Sequence, residues 1–251
     1  MSLPGLVPEW PAAGRVRAFC TVRAGGVSTS PYTSLNLATH VGDTAASVRE
    51  NRRRLRVELA LPEEPLWLEQ VHGTRVFDAD ASGSARHLPA DAAMTRASNR
   101  VLAVLVADCL PVLLATRAGT AIAVAHAGWR GLAGGVLERT VEALQAPAGE
   151  LQAWLGPAIS AAHFEVGAEV RAAFLAQDAS AASHFSANAR GRWQCDLAGL
   201  ARQRLQALGV RAVHDSSLCT ASDAERFFSY RRDGHTGRIA ALLWTAGEGT
   251  T

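Results

Sequence analysis

Apolar residues along this chain fall into two kinds of segment, short continuous runs and longer stretches with apolar positions three and four apart. The runs Leu66–Val71, Thr74–Asp78, Val101–Ala107, Pro111–Thr116 and Thr120–Ala125 are apolar and of strand length. Arg15–Val22 alternates as a half-buried strand does, and Leu151–Leu155, Arg211–His214 and Arg238–Trp244 add further strand candidates. Helical spacing predicts a helix over Thr44–Leu61, capped by Thr44, with Val48, Leu55 and Leu59 on one face among arginines. Leu132–Leu144, Ala168–Ala176 and Leu197–Leu208 read as helices as well. Strands and helices mix without strict alternation, which predicts an α/β fold with mixed sheets rather than a doubly wound one. No repeat, linker or boundary interrupts residues 1–251, so a single domain is expected.

The link Arg117-Ala118-Gly119 between two of these runs looks like a turn. A hairpin centred near Ala118 sets Leu110 opposite His126 and brings Cys109 within one register step, where opposed Cβ atoms are ~5 Å apart. A nucleophile with its base, two metal ligands, or two packed residues would all satisfy that juxtaposition. His72, at the end of another run and followed by Gly73, adds a third donor. One cysteine and two histidines at strand ends match a three-ligand zinc site with an open fourth position, as catalysis requires. A cysteine hydrolase needs only Cys109 and His126, with Asp108 or another acceptor orienting the imidazole. A blue-copper centre would add an axial methionine, for which only Met1 and Met94 exist.

After His126 the sequence "HAGWRGLAGG" runs from strand into helix. Gly128 and Gly131 would let backbone amides approach an anion, and Arg130 would add a bidentate phosphate contact. An ordinary tight connection with a packed Trp129 is the plain alternative. His163 and Glu165 form the H-x-E half of a zinc-deaminase signature, but no P-C-x-x-C follows. The segment "FFSYRRDGHTGR" (227–238) suits either a substrate rim or a solvated loop. Cys20, Cys195 and Cys219 are read as buried small hydrophobes.

Composition narrows the chemistry. All 25 basic residues are arginine, which excludes a Walker-A loop and every lysine Schiff-base mechanism. A net charge of +2 argues against nucleic acid as a partner. The longest apolar run, Val101 to Ala115, contains Asp108 and Pro111 and is too short for a bilayer, so no membrane partner is expected. Four scattered cysteines and no basic-then-apolar start point to a reduced, cytoplasmic protein.

The motifs "TVRAGGVSTSPYTSLNLATHVGD", "EQVHG", "ADCLPVLL", "AVAHAGWRG", "LGPAIS" and "CTASDAERFFSYRRDGHTGR" occur in this order over nearly the whole chain. Together they resemble the YfiH or laccase-domain family, also called polyphenol oxidase, purine nucleoside phosphorylase or peptidoglycan editing factor. Val22 stands where members often carry threonine, a minor departure. The resemblance implies a layered α/β/β/α fold with two mixed sheets, similar to toxin cysteine deamidases. It also implies a metal site of His72, Cys109 and His126, holding zinc or copper. The implied activity is zinc-dependent phosphorolysis of adenosine, inosine, guanosine and methylthioadenosine, with secondary adenosine deamination. Cys109, His126 and Arg130 would be catalytic, and Arg23, Ser28, Asn36, Gly128 and Gly131 would contact ribose or phosphate. The alternatives are copper-dependent phenol oxidation, cysteine-based editing of a peptidoglycan precursor, and a non-enzymatic metal-binding or redox-sensing module.

Overall fold

The computed structural model of the protein describes residues 3–81 and 89–247, so Met1 lies outside the described residues. In chain order the elements begin with β1 (Gly5–Leu6), β2 (Val16–Thr21), α1 (Ala45–Glu58), β3 (Leu66–Trp67), β4 (Val76–Asp78), β5 (Ala92–Thr95) and β6 (Leu102–Val106). Next come β7 (Leu110–Thr116), β8 (Ile122–Ala127), α2 (Trp129–Gly134), α3 (Val136–Leu144), β9 (Leu151–Leu155), β10 (Glu165–Val166) and α4 (Ala168–Leu175). The chain closes with β11 (Phe185–Ala187), β12 (Trp193–Cys195), α5 (Leu197–Ala207), β13 (Ala212–Asp215), α6 (Tyr230–Asp233) and β14 (Ile239–Thr245).

Two mixed sheets, ordered β1-β2-β14-β6-β3 and β13-β9-β7-β8-β5-β4, stack face to face, and β10-β12-β11 form a small third sheet. Val104, Val106, Ile239 and Ala241 of the first sheet meet Leu113, Ala115, Ile122, Val124 and Trp154 of the second. The outer face of the first sheet packs Ala103, Leu105 and Leu242 against Leu55 of α1 and against Leu35 and Leu37. The outer face of the second packs Leu110, Val112, Ala123 and Ala125 under Leu132, Val136, Leu137, Leu200 and Leu205. The result is the α/β/β/α layering expected. Central strands β6, β7 and β8 are buried at every position, which is why their sequences run apolar without alternation.

The β7–β8 hairpin differs from its expected register by one residue. Pro111, not Leu110, lies opposite His126, and Leu110 pairs with Ala127. The cause is local: Thr116 Oγ1 accepts from the backbone N–H of Thr120 (2.9 Å) and Ala121 (3.2 Å), while Gly119 takes φ +67°. The turn therefore consumes more chain, and β8 starts at Ile122. Side chains alternate with period two, so one residue decides the face. In the observed register Cys109 and His126 share a face; in the expected one they would not. The helix expected over Leu132–Leu144 begins earlier, at Trp129, and breaks at Gly135, where φ is +99°.

Candidate metal centre

β3 would continue toward His72, but the chain leaves the sheet after Trp67. Gln70 then substitutes for a strand residue: its side chain donates to Leu105 O and accepts from Leu105 N, both at 2.8 Å. This clamps the following turn against β6. Cys109 immediately precedes β7, and His126 sits near the end of β8. The ligating atoms of His72, Cys109 and His126 all lie within 4.8 Å of one another. Cys109 Sγ is 3.9 Å from His72 Nε2, and the two imidazoles meet edge to face with centroids 4.8 Å apart. His126 is buried, Cys109 half-buried and His72 exposed, so the group faces outward on its His72 side.

A fourth residue, absent from the sequence-based site, holds this group together. Asp91 precedes β5, whose pairing with β8 places it beside His126. Its Oδ1 accepts from His126 Nδ1 at 2.8 Å and from His72 N at 2.9 Å. Its Oδ2 accepts from Gly73 N at 2.6 Å and Val71 N at 3.2 Å. His72 has φ +60°, a conformation non-glycine residues seldom hold without support, and these consecutive N–H donors supply it. Donation from Nδ1 also leaves Nε2 of His126 as the ring's free donor atom, the arrangement found behind metal-bound histidines.

Without a metal, the charges of the cluster favour a thiolate–imidazolium pair, whose extra proton on His126 a metal would displace. Burial alone would raise the Asp91 carboxyl, but bonds from His126, Gly73 and His72 outweigh it and hold the pKa below the ordinary value. Burial also pushes the Cys109 thiol up, and is overcome by the neighbouring His126 and His72, which bring it well below the ordinary thiol value. His126 moves the opposite way: burial lowers it, and Cys109 with Asp91 raises it further. The thiolate, the form that ligates metals, is thus favoured.

Asp108 does not orient His126, as the hydrolase alternative had allowed. With φ +89°, it accepts from Thr220 Oγ1 (2.7 Å) and Arg231 N (2.6 Å) and so fixes the turn into Cys109. The glycine loop also has a packing explanation. A Cβ on Gly128 would lie 3.0 Å from both Cys109 Sγ and His72 Cδ2, and one on Gly131 would lie 2.8 Å from Gly73 O. Gly128→Ala is therefore expected to cost about tenfold in the affinity for a metal held by these residues, by displacing both side chains a few tenths of an ångström, with little change in Tm. Competition with a chromophoric chelator reads the first quantity and thermal melting the second. Arg130 is exposed, its guanidinium 4.5 Å from the Trp129 ring centroid.

The polar loop before α1 places the other residues expected to contact ribose or phosphate. Ser28 and Asn36 are buried and spend their side chains inside the protein. Ser28 donates to Asp43 Oδ2 (2.6 Å), and Asn36 donates to Asp43 Oδ2 (2.9 Å) and Ala38 O. Arg23 donates to Thr33 O and Ala224 O and lies over Phe228, fastening the loop rather than offering itself outright. Cys20 and Cys195 are buried as expected; Cys219 is only half-buried, and its sulfur accepts from Ser160 N and Oγ. Glu165 pairs with Arg190 and Asn188, outside the cluster. Met94 packs in the helix-facing core, whereas Cys109 packs on the inter-sheet side, so Met94 is not placed as an axial ligand. Among the described residues no other group of three His, Cys, Asp or Glu side chains is arranged to hold a metal.

Beside Cys109 opens a slot of about 130 Å³ lined by Trp129, Ile159, Phe164, Leu197 and Tyr230, with Asp108 and Arg231 at its polar side. It is smaller than sites for drug-sized ligands, ~300–1,000 Å³, and suits one ring system with the remainder lying over the cluster.

A family model described as multi-copper polyphenol oxidoreductase laccase matches residues 17–246. A Pseudomonas aeruginosa protein named purine nucleoside phosphorylase is 53% identical over 240 residues, covering 95% of this chain and 97% of its own. Purine nucleoside phosphorylase YfiH of Escherichia coli K12 is 48% identical over 239 residues, covering 95% and 98%. The crystal structure of a Neisseria meningitidis DUF152 protein superposes with a TM-score of 0.93 at 46% identity, covering 97% of this chain and 99% of that one.

Proposed function

Because the chain belongs to the YfiH, or laccase-domain, family, we propose that it is a zinc-dependent purine nucleoside phosphorylase acting on adenosine, inosine, guanosine and methylthioadenosine. The observation that carries this reading is the His72–Cys109–His126 group, braced by Asp91 and set beside an aromatic slot. A thiolate with two imidazoles is a zinc donor set, and Gly128 leaves room for it that a Cβ would fill. Zinc held by those three residues would supply the positive charge that polarises a substrate oxygen. Copper suits the same donors, but Met94 lies on the wrong face for an axial ligand.

The chain's own residues do the rest. The slot takes the purine against Trp129, Phe164 and Tyr230 and excludes water from it. Asp91 keeps the proton on His126 Nδ1, so the imidazole remains aimed at the cluster. Arg130, exposed and lying over the ring of Trp129, a residue of the slot wall, draws phosphate in. In phosphorolysis the C1′–N9 bond breaks with its electron pair remaining on N9, which takes a proton from hydrogen phosphate while a phosphate oxygen bonds C1′. Hydrolytic deamination of adenosine is a secondary activity of the same site. The cytoplasmic location expected from sequence accords with four free cysteines. No helix among the described residues is long and apolar enough to cross a membrane.

One observation favours a second reading. Cys109, His126 and Asp91 also stand as nucleophile, base and orienting acid, the parts of a metal-free cysteine hydrolase acting on an amide. Hypoxanthine release from inosine separates the two. It is expected to require phosphate, to vanish on chelation and to return with zinc, and ammonia release from adenosine checks the deaminase activity. Turnover that survives chelation would favour the hydrolase, and no turnover with any nucleoside would sink the phosphorylase.

A further inference from the structure

The segment 227–238 carries three arginines, and the structure spends them unequally. Arg232 is saturated, with Nε and Nη2 on Asp233, Nη1 on Thr220 O and Ala221 O, and Nη2 also on Phe227 O. Arg231 gives its backbone N–H to Asp108 and Nη1 to Glu165 O, and its guanidinium lies over Phe164. Arg238 uses Nη1 alone, on Thr236 O (2.9 Å) and Gly237 O (3.0 Å). Among the described residues no acceptor meets its Nε and Nη2 and no carboxylate pairs with it. Close to it in sequence, Thr236 Oγ1 is buried without a hydrogen-bond partner.

Arg238 is half-buried and held from both sides. Its N–H donates to Asn36 Oδ1 at 3.0 Å and its carbonyl accepts from Leu37 N at 3.3 Å. Gly237 packs so closely that a Cβ would lie 2.7 Å from Phe228 Cζ and 2.9 Å from Asn36 Cβ. The guanidinium carbon lies 5.9 Å from the Tyr230 ring, which itself lines the slot beside Cys109. Burial lowers the pKa of Arg238, and the negative charges of Cys109 and Asp108, which make no bond to it, offset only part of that. Nearby Arg52 is not free in the same way, because it donates twice to Leu37 O and stacks on Trp67.

A guanidinium does not shed its proton, so a half-buried one with no bonded counter-ion gains from an anion that bonds its free edge. Its free edge presents two parallel N–H bonds, the spacing of two oxygens of a tetrahedral oxyanion. We propose that the Nε/Nη2 edge of Arg238, beside Tyr230 and the Cys109 turn, is the seat of inorganic phosphate. Choosing phosphate among oxyanions rests on the phosphorylase reading. Asn36 and Gly237 then serve the ligand indirectly, by fixing the backbone from which Arg238 projects.

Calorimetric titration of the zinc-loaded protein with inorganic phosphate, alongside KM for phosphate and for inosine, tests this. Arg238→Gln is expected to weaken phosphate binding and raise the phosphate KM by about tenfold or more, with the inosine KM within about twofold. Arg238→Lys retains charge but not the fork, and is expected to fall between. Arg139→Gln, an exposed change on α3, should match wild type in both measurements. Unchanged phosphate affinity in Arg238→Gln, or in Arg238→Lys should the first fail to fold, overturns the seat, as does wild type that binds no phosphate. Phosphate binding lost in Arg238→Gln without nucleoside turnover in wild type upholds the seat and overturns the phosphorylase. Phosphate-dependent turnover with an unchanged phosphate KM in Arg238→Gln does the reverse.

Discussion

Cys109→Ala is expected to lower phosphate-dependent hypoxanthine release from inosine by about a thousandfold, the scale lost when a preorganised charge centre is removed. The purified variant should also carry far less than one zinc per chain. The thiolate is the group's one anionic ligand; without it two neutral imidazoles remain, and His126 loses one of the partners that raise its pKa. Stability should change little, by about 1 kcal/mol, because the side chain is half-buried and only one heavy atom is removed. Cys109→Ser should behave alike despite its matching size, since a serine hydroxyl stays protonated near neutrality and is a weak zinc ligand. Metal analysis separates the roles of the sulfur. An inactive variant that still holds a full complement of zinc would make Cys109 a nucleophile rather than a ligand, and a wild-type rate would remove it from the chemistry altogether.

The layers were legible because their strands are buried on both faces and therefore read as unbroken apolar runs. β6, β7 and β8 were found within two residues of their observed ends. β5 was not, because Ala92–Thr95 is short, alanine-led and becomes a strand through its pairing with β4 and β8. Asp91 was missed with it. The available signal was an acidic residue placed directly before a fully apolar stretch, the same strand-end position that marks Cys109. The hairpin slipped by one residue because its turn is set by the Thr116 hydroxyl, which no apolar pattern records. Ser28 and Asn36 have a structural use that no apolar pattern records either. A loop that covers a sheet must satisfy its own buried polar groups, and these two do so for the segment 23–43.

Asp91→Ala carries the other large effect, and it separates a positioning role from bulk stability. Removal leaves the N–H groups of Val71, His72 and Gly73 and the His126 ring without their common acceptor. Breaking a buried charged contact in this way costs roughly 3–5 kcal/mol, which lowers Tm by about 10 °C in a chain of this size. Zinc affinity should fall by a further ~10–100-fold, the usual toll for losing the carboxylate behind a ligating histidine. The sign with pH follows from the depressed carboxyl. Its stabilisation is complete above the unfolded value of about 3.9 and disappears as pH falls through the lower folded value. Asp91→Asn retains one accepting oxygen but turns an NH2 toward donors, so it should keep more stability than alanine and still lose zinc affinity. Imidazole nitrogen shifts give an independent reading, because His126 should cease to hold its proton on Nδ1 alone. If Asp91→Asn kept wild-type zinc affinity and the Nδ1–H form of His126, the carboxylate would be a fold element only, and His72 would owe its left-handed backbone to something other than the charge beneath it.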